Sequence, residues 1–258
     1  MTTKEKKRTK IYEWEKPVEF TETFKWDDLD ATFKAESYNA WMLDALPMIG
    51  EMTILEHTEA REKGIKIGDR IFYKRRLPLY SLRSRWLFCT PTMSRTELSV
   101  YKGRTERMVR FDAEIGIPVL ADQTLSPWMS LTPNEVFTLR GQIRRAKGKV
   151  AMAGLGLGWA ARKVLERKKV EHLTVYEKDQ DVIDYFGKSL VEDFGDRVTL
   201  ACGSAYEADW MRYDVALWDI WMGIGDAAWD NRYNRIKDEM IAAGKVCVGW
   251  ADGNVHRS

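Results

Sequence analysis

Cysteine is scarce in this chain of 258 residues: there are three, Cys89, Cys202 and Cys247, far apart and with no C-x-x-C pair. That spacing signals neither a disulfide framework nor a zinc site, so the three read as packed thiols and no metal is expected. Long apolar runs are missing as well. No stretch approaches the roughly 18 apolar residues that a bilayer-crossing helix needs. The start, "MTTKEKKRTK", leads into charged and aromatic residues instead of a signal-peptide core. The expectation is a cytoplasmic protein with no membrane partner. Histidine is rare too. His57 and His172 sit in amphipathic surroundings and read as structural, whereas His256 follows the last apolar run and is placed to reach a cleft. Internal repeats and low-complexity segments are absent.

What is present suits a globular chain: 45% of residues are hydrophobic and 31% charged, enough for one large domain or two small ones. The formal net charge of +2 hides an asymmetry. From Arg70 to Arg110 the acids are Glu97 and Glu106 alone, among many Lys and Arg, whereas from Glu171 to Glu239 acids outnumber bases. The basic stretch, interleaved with Tyr80, Trp86 and Tyr101, reads as the solvated face of a sheet or a partner for the acidic half; phosphate contact is the alternative.

Three regions follow from the patterning. Residues 1–35 are charged with scattered aromatics and no sustained period, a tail or an arm over another surface. Residues 36–132 begin with short helical pieces broken by Pro47 and Gly50 and closed by Gly64. They continue as β-rich runs ("RIFYKRR", "RWLFCT", "ELSVYKG", "RMVRFD", "IPVLAD") that suggest a small antiparallel unit. In residues 133–258, "NEVFTLRGQIRRAKG" reads as a helix, after which strand and helix alternate: "KVAMAGL", "HLTVYEKD", "RVTLACGS", "YDVALWDIW" and "KVCVGWAD" are near-continuous apolar strands. Between them lie amphipathic helices, among them "QDVIDYFGKSLVEDFG" and "AAWDNRYNRIKDEMIAAG". Such alternation predicts an α/β, Rossmann-like doubly wound, mostly parallel sheet behind a smaller β-rich region.

The first strand of that sheet runs into "GLGLG", with Gly154, Gly156 and Gly158 at alternate positions before a helix near Trp159. Glycines there let the backbone turn tightly and approach a ligand, while the helix start offers free N–H groups. About twenty residues on, Glu177 ends the second strand, where an acid accepts the hydroxyls of a ribose. A dinucleotide turn reads G-x-G-x-x-G and needs a glycine at 159, which is Trp here, and no G-K-[ST] follows to make a P-loop. A phosphate-free nucleoside ligand fits better.

With "VAMAGLGLG", "VYEKD", "LACGSAYEADW" and "YDVALWDIW" in this order, the chain from about Lys149 to Asp252 resembles class I S-adenosylmethionine-dependent methyltransferases. With "PWMSLTPNE" and "DIW" it is similar to small phage-type methyltransferase-like proteins of unassigned substrate, and its layout is also similar to that of spermidine synthases. The resemblance implies S-adenosylmethionine as cofactor, bound by Gly154, Leu155, Gly156, Gly158, Glu177, Lys178, Ser204, Ala205, Asp219 and Trp221. It departs from the methyltransferase pattern at Met152 and Ser204, where acids are frequent, and from the spermidine synthase pattern at Leu157. The chain also ends before the usual sixth and seventh strands; either the sheet is short or the N-terminal half completes it.

Asp219 is the candidate catalytic residue, ending an apolar strand between Trp218 and Trp221, whose faces suit a cation or a flat acceptor. Its plain alternative is a cap for the following segment. Asp226 and Asp230 read as starting the next helix, and Thr132 with Glu135 as a capping box, with contact to the cofactor from Met129, Ser130, Thr132 and Glu135 the other reading. The acceptor is a small molecule or a nucleic acid, and self-association is left open. Cofactor cleavage, aminopropyl transfer and plain binding are the competing functions.

Overall fold

The computed structural model describes residues 17–23, 32–50, 52–77, 110–221 and 226–250. The runs "RWLFCT" and "ELSVYKG", with Tyr80, Trp86, Cys89 and Tyr101, lie outside the described residues, as do the start of the chain and His256. The strands in chain order are β1 (Thr32–Phe33), β2 (Ile54–Leu55), β3 (Ile65–Ile67), β4 (Arg70–Leu77), β5 (Arg110–Phe111) and β6 (Ile115–Ala121). They continue as β7 (Pro127–Ser130), β8 (Gly148–Ala153), β9 (Val170–Glu177), β10 (Val198–Cys202), β11 (Val215–Trp218) and β12 (Val246–Gly249).

Strands β8 to β12 form one sheet in the order β10-β9-β8-β11-β12, and every neighbouring pair is parallel. Alternate residues of β8 enter two different cores: Val150 and Met152 pack on one side, Ala151 and Ala153 on the other. Both faces are therefore covered, which is why these strands are apolar throughout. The helices Trp159–Leu165 and Asn231–Ala242 make the crossovers after β8 and β11. This is a Rossmann-like doubly wound sheet, and its strand order reverses between β8 and β11.

The crossover after β9 departs from the single helix expected there. It runs Gln180–Val182, widens into a π turn over Ile183–Gly187, and resumes as Lys188–Phe194. Phe186 on that turn is fully buried, edge-on to Phe72 with ring centres 5.0 Å apart. Packing against β4 thus overrides the regular helical period.

A second five-stranded sheet has the order β2-β4-β6-β7, with β3 also paired to β4, and β1 and β5 pair in parallel as a two-stranded sheet of their own. Strands β4 and β6 are antiparallel from Ile71–Ala121 to Leu77–Ile115, as the β-rich runs suggest. "PWMS" is a strand, β7, that the sequence pattern did not signal; it is short, half-buried and opens with Pro127, which suits an edge. Among the described residues this sheet remains separate from the parallel one. Residues 17–23 lie against the helix Ala35–Ala45, with Phe20 buried among Phe33, Tyr38, Trp41 and Phe111.

Arg70 ties the sheets together. Its guanidinium pairs with Asp179, the N-cap of the helix after β9, and lies 3.8 Å over the ring of Trp128 on β7. The helix Pro133–Arg145 leads into β8 and opens with the expected capping box: Thr132 Oγ1 accepts from the Glu135 N–H at 3.2 Å, and Glu135 Oε2 from the Thr132 N–H at 2.6 Å. No helix among the described residues is long and apolar enough to cross a membrane.

Candidate functional site

Strands β8 and β11 end side by side: Ala153 and Trp218 are register partners, and Asp219 donates its backbone N–H to the Ala153 carbonyl at 2.9 Å. The three glycines that follow β8 serve three purposes. At Gly154, with a φ of 91°, a Cβ would sit 2.4 Å from the Asp219 carbonyl oxygen, so glycine is required where two chain segments meet. At Gly156, with a φ of 58°, a Cβ would meet nothing within 4 Å, and the position lines a cavity. Gly158 approaches the Phe186 carbonyl instead and does not line that cavity.

The cavity, about 510 Å³, lies beyond the carboxyl ends of the parallel strands at the reversal of strand order. It brings together Gly154, Leu155, Gly156, Glu177, Lys178, Ser204, Ala205, Asp219 and Trp221, leaving Gly158 outside. Trp218 is also outside it, fully buried in the core, while Trp221 reaches the wall. Glu177 is nearly buried, and both of its carboxylate oxygens face backbone: Oε2 accepts from the Leu155 N–H at 3.0 Å and Oε1 from the Asp179 N–H at 3.1 Å. Each oxygen keeps a second lone pair for a ligand hydroxyl.

Two further acids face the cavity from different elements, Glu135 from the first turn of its helix and Asp219 from the end of β11. Ser130 donates to both oxygens of Glu135, at 3.1 and 3.0 Å. Burial pushes the Glu135 carboxyl up to about 8; the donors from Thr132 and Ser130 oppose the rise, and the charge of Asp219 adds to it. Burial raises Asp219 to about 7. Among the described residues nothing donates to the Asp219 carboxylate; residues 222–225 of the segment it was expected to cap lie outside them.

A fourth acid, Asp230, is the N-cap of Asn231–Ala242, as its sequence position suggests, accepting from the Arg232 and Tyr233 amides at 3.0 Å each. The Tyr206 hydroxyl and the Trp221 indole N–H (3.1 Å) also donate to it. Burial works against its ionisation, but these four donors outweigh it and hold the carboxyl below the ordinary range. Tyr206, raised by burial and by that hydrogen bond, also lines the cavity. Neither it nor Trp128 stood out in the sequence, because an aromatic on a turn or an edge strand carries no periodic signal. Met129, Ser130 and Glu135 line the cavity; Thr132 does not.

The histidines described have structural partners, His57 with Tyr73 at 3.0 Å and His172 with Thr199 at 3.1 Å. Cys247 is buried as expected, but Cys202 is exposed, because it ends β10 at the edge of the sheet.

No family model and no curated protein matches the chain. Solved structures do. It is similar to a dimethyladenosine transferase from Plasmodium falciparum, 18% identical over 40% of this chain and 36% of that one, with a TM-score of 0.32. It is also similar to spermidine synthase from Thermotoga maritima (22% identity, 40% and 43% covered, TM-score 0.28) and to Trm5b from Pyrococcus abyssi (13%, 50% and 35%, 0.34). The match spans less than half of each of those three chains. The doubly wound fold itself is defined by the strand order and the covered faces given above.

Proposed function

We propose that this chain is an S-adenosylmethionine-dependent methyltransferase. The observation that carries the reading is the open position at Gly156, set beside the Glu177–Leu155 hydrogen bond at the reversal of strand order. Side-chain-free backbone and a strand-end carboxylate are what an adenosyl group needs. The lining supports it: among the described residues Glu135, Glu177, Asp219 and Asp230 are its acids and Lys178 its single base. Such a wall gives a pyrophosphate little to bind, whereas the sulfonium and ammonium of a ligand are attracted to its carboxylates.

The residues fit this group. Gly154 to Gly156 offer backbone, Glu177 accepts ribose hydroxyls, and Ser204 and Ala205 form the wall beside them. When bound, the cofactor supplies a methyl group on a positively charged sulfur. The protein's contribution is to fix the acceptor in line, to keep water out, and to take a proton from the acceptor where it carries one. Asp219, held at the strand end and poised near neutrality, suits the last task.

Calorimetry with S-adenosylmethionine, S-adenosylhomocysteine and NAD tests the reading; binding of NAD alone overturns it. Mass spectrometry of the adenosyl products after incubation with cell extract then separates the activities. S-adenosylhomocysteine marks methyl transfer. Methylthioadenosine marks cleavage, or aminopropyl transfer when decarboxylated S-adenosylmethionine is the donor supplied, a second reading favoured by the two carboxyls Glu135 and Asp219, which suit a polyamine. Intact cofactor in every sample marks a binding module.

A further inference from the structure

Resting on that reading, we infer that the acceptor is an amine, and that its ammonium group is held between Glu135 and Asp219 against the ring of Trp221 and beside Tyr206. All four side chains line the same cavity. Glu135 is the fixed anchor: Ser130 and the Thr132 amide hold both of its oxygens, so the carboxyl is oriented before anything binds. Asp219 is the free partner, receiving no hydrogen bond from the described residues while sharing the cavity wall with Glu135. A half-buried carboxylate with no donor among the described residues is open to a partner, and an ammonium offers three N–H groups and a positive charge. The Trp221 ring adds a face on which a cation or an alkyl chain rests favourably, and the Tyr206 ring already carries a cation, the Arg232 guanidinium, 4.2 Å over it. Trp221 is itself immobilised by its bond to Asp230 and by Tyr233, whose ring centre is 4.9 Å away. Among the described residues a phosphate-bearing acceptor finds four carboxyls here and a single base, Lys178, which sits 5.2 Å over Trp128.

Asp219 then takes the proton that the amine must lose. One N–H bond breaks, its electron pair stays on nitrogen, and an O–H bond forms on Asp219, leaving a neutral amine with a usable lone pair. Because burial raises both carboxyls, to about 7 for Asp219 and about 8 for Glu135, part of their protons is bound at pH 7, and an arriving ammonium displaces them. Among the described residues the other titratable groups facing the cavity are Asp230 at its helix start, Tyr176, Glu177 and Lys178 at the end of β9, and Tyr206.

The full chain is titrated calorimetrically with butylamine, phenethylamine and 1,4-diaminobutane, and with butanol, phenethyl alcohol and 1,4-butanediol. Buffers of different ionisation enthalpy at pH 7 count the protons exchanged. The expected result is that an amine binds at least tenfold more tightly than its alcohol and releases protons. Glu135→Gln and Asp219→Asn, each shown by its melting curve to be folded, should each weaken that binding about tenfold or more. No amine binding, equal binding of the alcohol, or two folded variants that bind the amine like the wild type overturns the proposal. S-adenosylhomocysteine is titrated in parallel: its failure to bind counts against the methyltransferase reading, and amine binding that persists then supports the ammonium site by itself.

Discussion

Glu177 at the end of β9 accepts the backbone N–H of Leu155 at 3.0 Å, so the acid expected to hold a ribose also holds the glycine turn. Its second oxygen is engaged as well, by the Asp179 N–H. A glutamine must therefore turn its NH₂ toward one of these two N–H groups. Glu177→Gln and Glu177→Ala should both weaken S-adenosylhomocysteine binding by about 1–3 kcal/mol, and both should lower the melting temperature. Calorimetry beside thermal unfolding checks this; a glutamine variant that behaves like the wild type in both would show that the amides are satisfied elsewhere.

Gly154 and Gly156 should respond differently to a side chain. Gly154→Ala drives a methyl into the Asp219 carbonyl and should cost about 2 kcal/mol or more of folding stability. Gly156→Val faces open space, so the strain of its positive φ costs about 1–2 kcal/mol, while the side chain occupies the cavity and removes ligand binding. Urea denaturation of the two variants, with ligand titration of the second, separates a structural glycine from a ligand-facing one.

Asp219→Asn should leave the fold intact and lower methyl transfer about 100-fold, the size of a lost general base. Cofactor affinity should fall far less. Steady-state rates beside calorimetry decide it, and full activity in a folded Asp219→Asn would place the base elsewhere.

The raised carboxyls also make a signed prediction about pH. Asp219 and Glu135 bind protons more tightly in the folded chain than in the unfolded one, where their values are near 3.8 and 4.5. The folded state therefore holds more protons from about pH 4 upward, so their contribution to stability falls as pH rises from about 4 to 8 and is level above that. Denaturant unfolding between pH 5 and 8 should show this decline without ligand. Asp219→Asn and Glu135→Gln should each flatten it, by about 2–4 kcal/mol at pH 8.

Lysine should replace Arg70 only in part. It pairs with the N-cap acid Asp179 and stacks on Trp128 in one geometry, and a planar guanidinium does both. Arg70→Ala should cost about 2–4 kcal/mol in guanidinium denaturation, since it leaves Asp179 without its buried partner, and Arg70→Lys about 1–2 kcal/mol, since an ammonium can pair with Asp179 but not stack on Trp128 as well. Trp128 lines the cavity, so ligand binding should weaken with them.

What the sequence determined by itself was the parallel half. Apolar strands alternating with capped helices have one good packing, helices on both faces, and the glycine turn and Glu177 stand at fixed offsets along a single βαβ unit. Thr132 with Glu135, and Asp230, were legible for the same reason: caps are made within three residues. Tertiary structure decided the rest, because it depends on groups far apart in the chain. That Gly156 faces the cavity and Gly154 only the Asp219 carbonyl follows from where β11 ends beside β8. The strand "PWMS" has too few residues to show a period and exists through its pairing with β6. The two carboxyls that define the proposed ammonium site are 84 positions apart, and their raised pKa values come from burial, which no local pattern encodes.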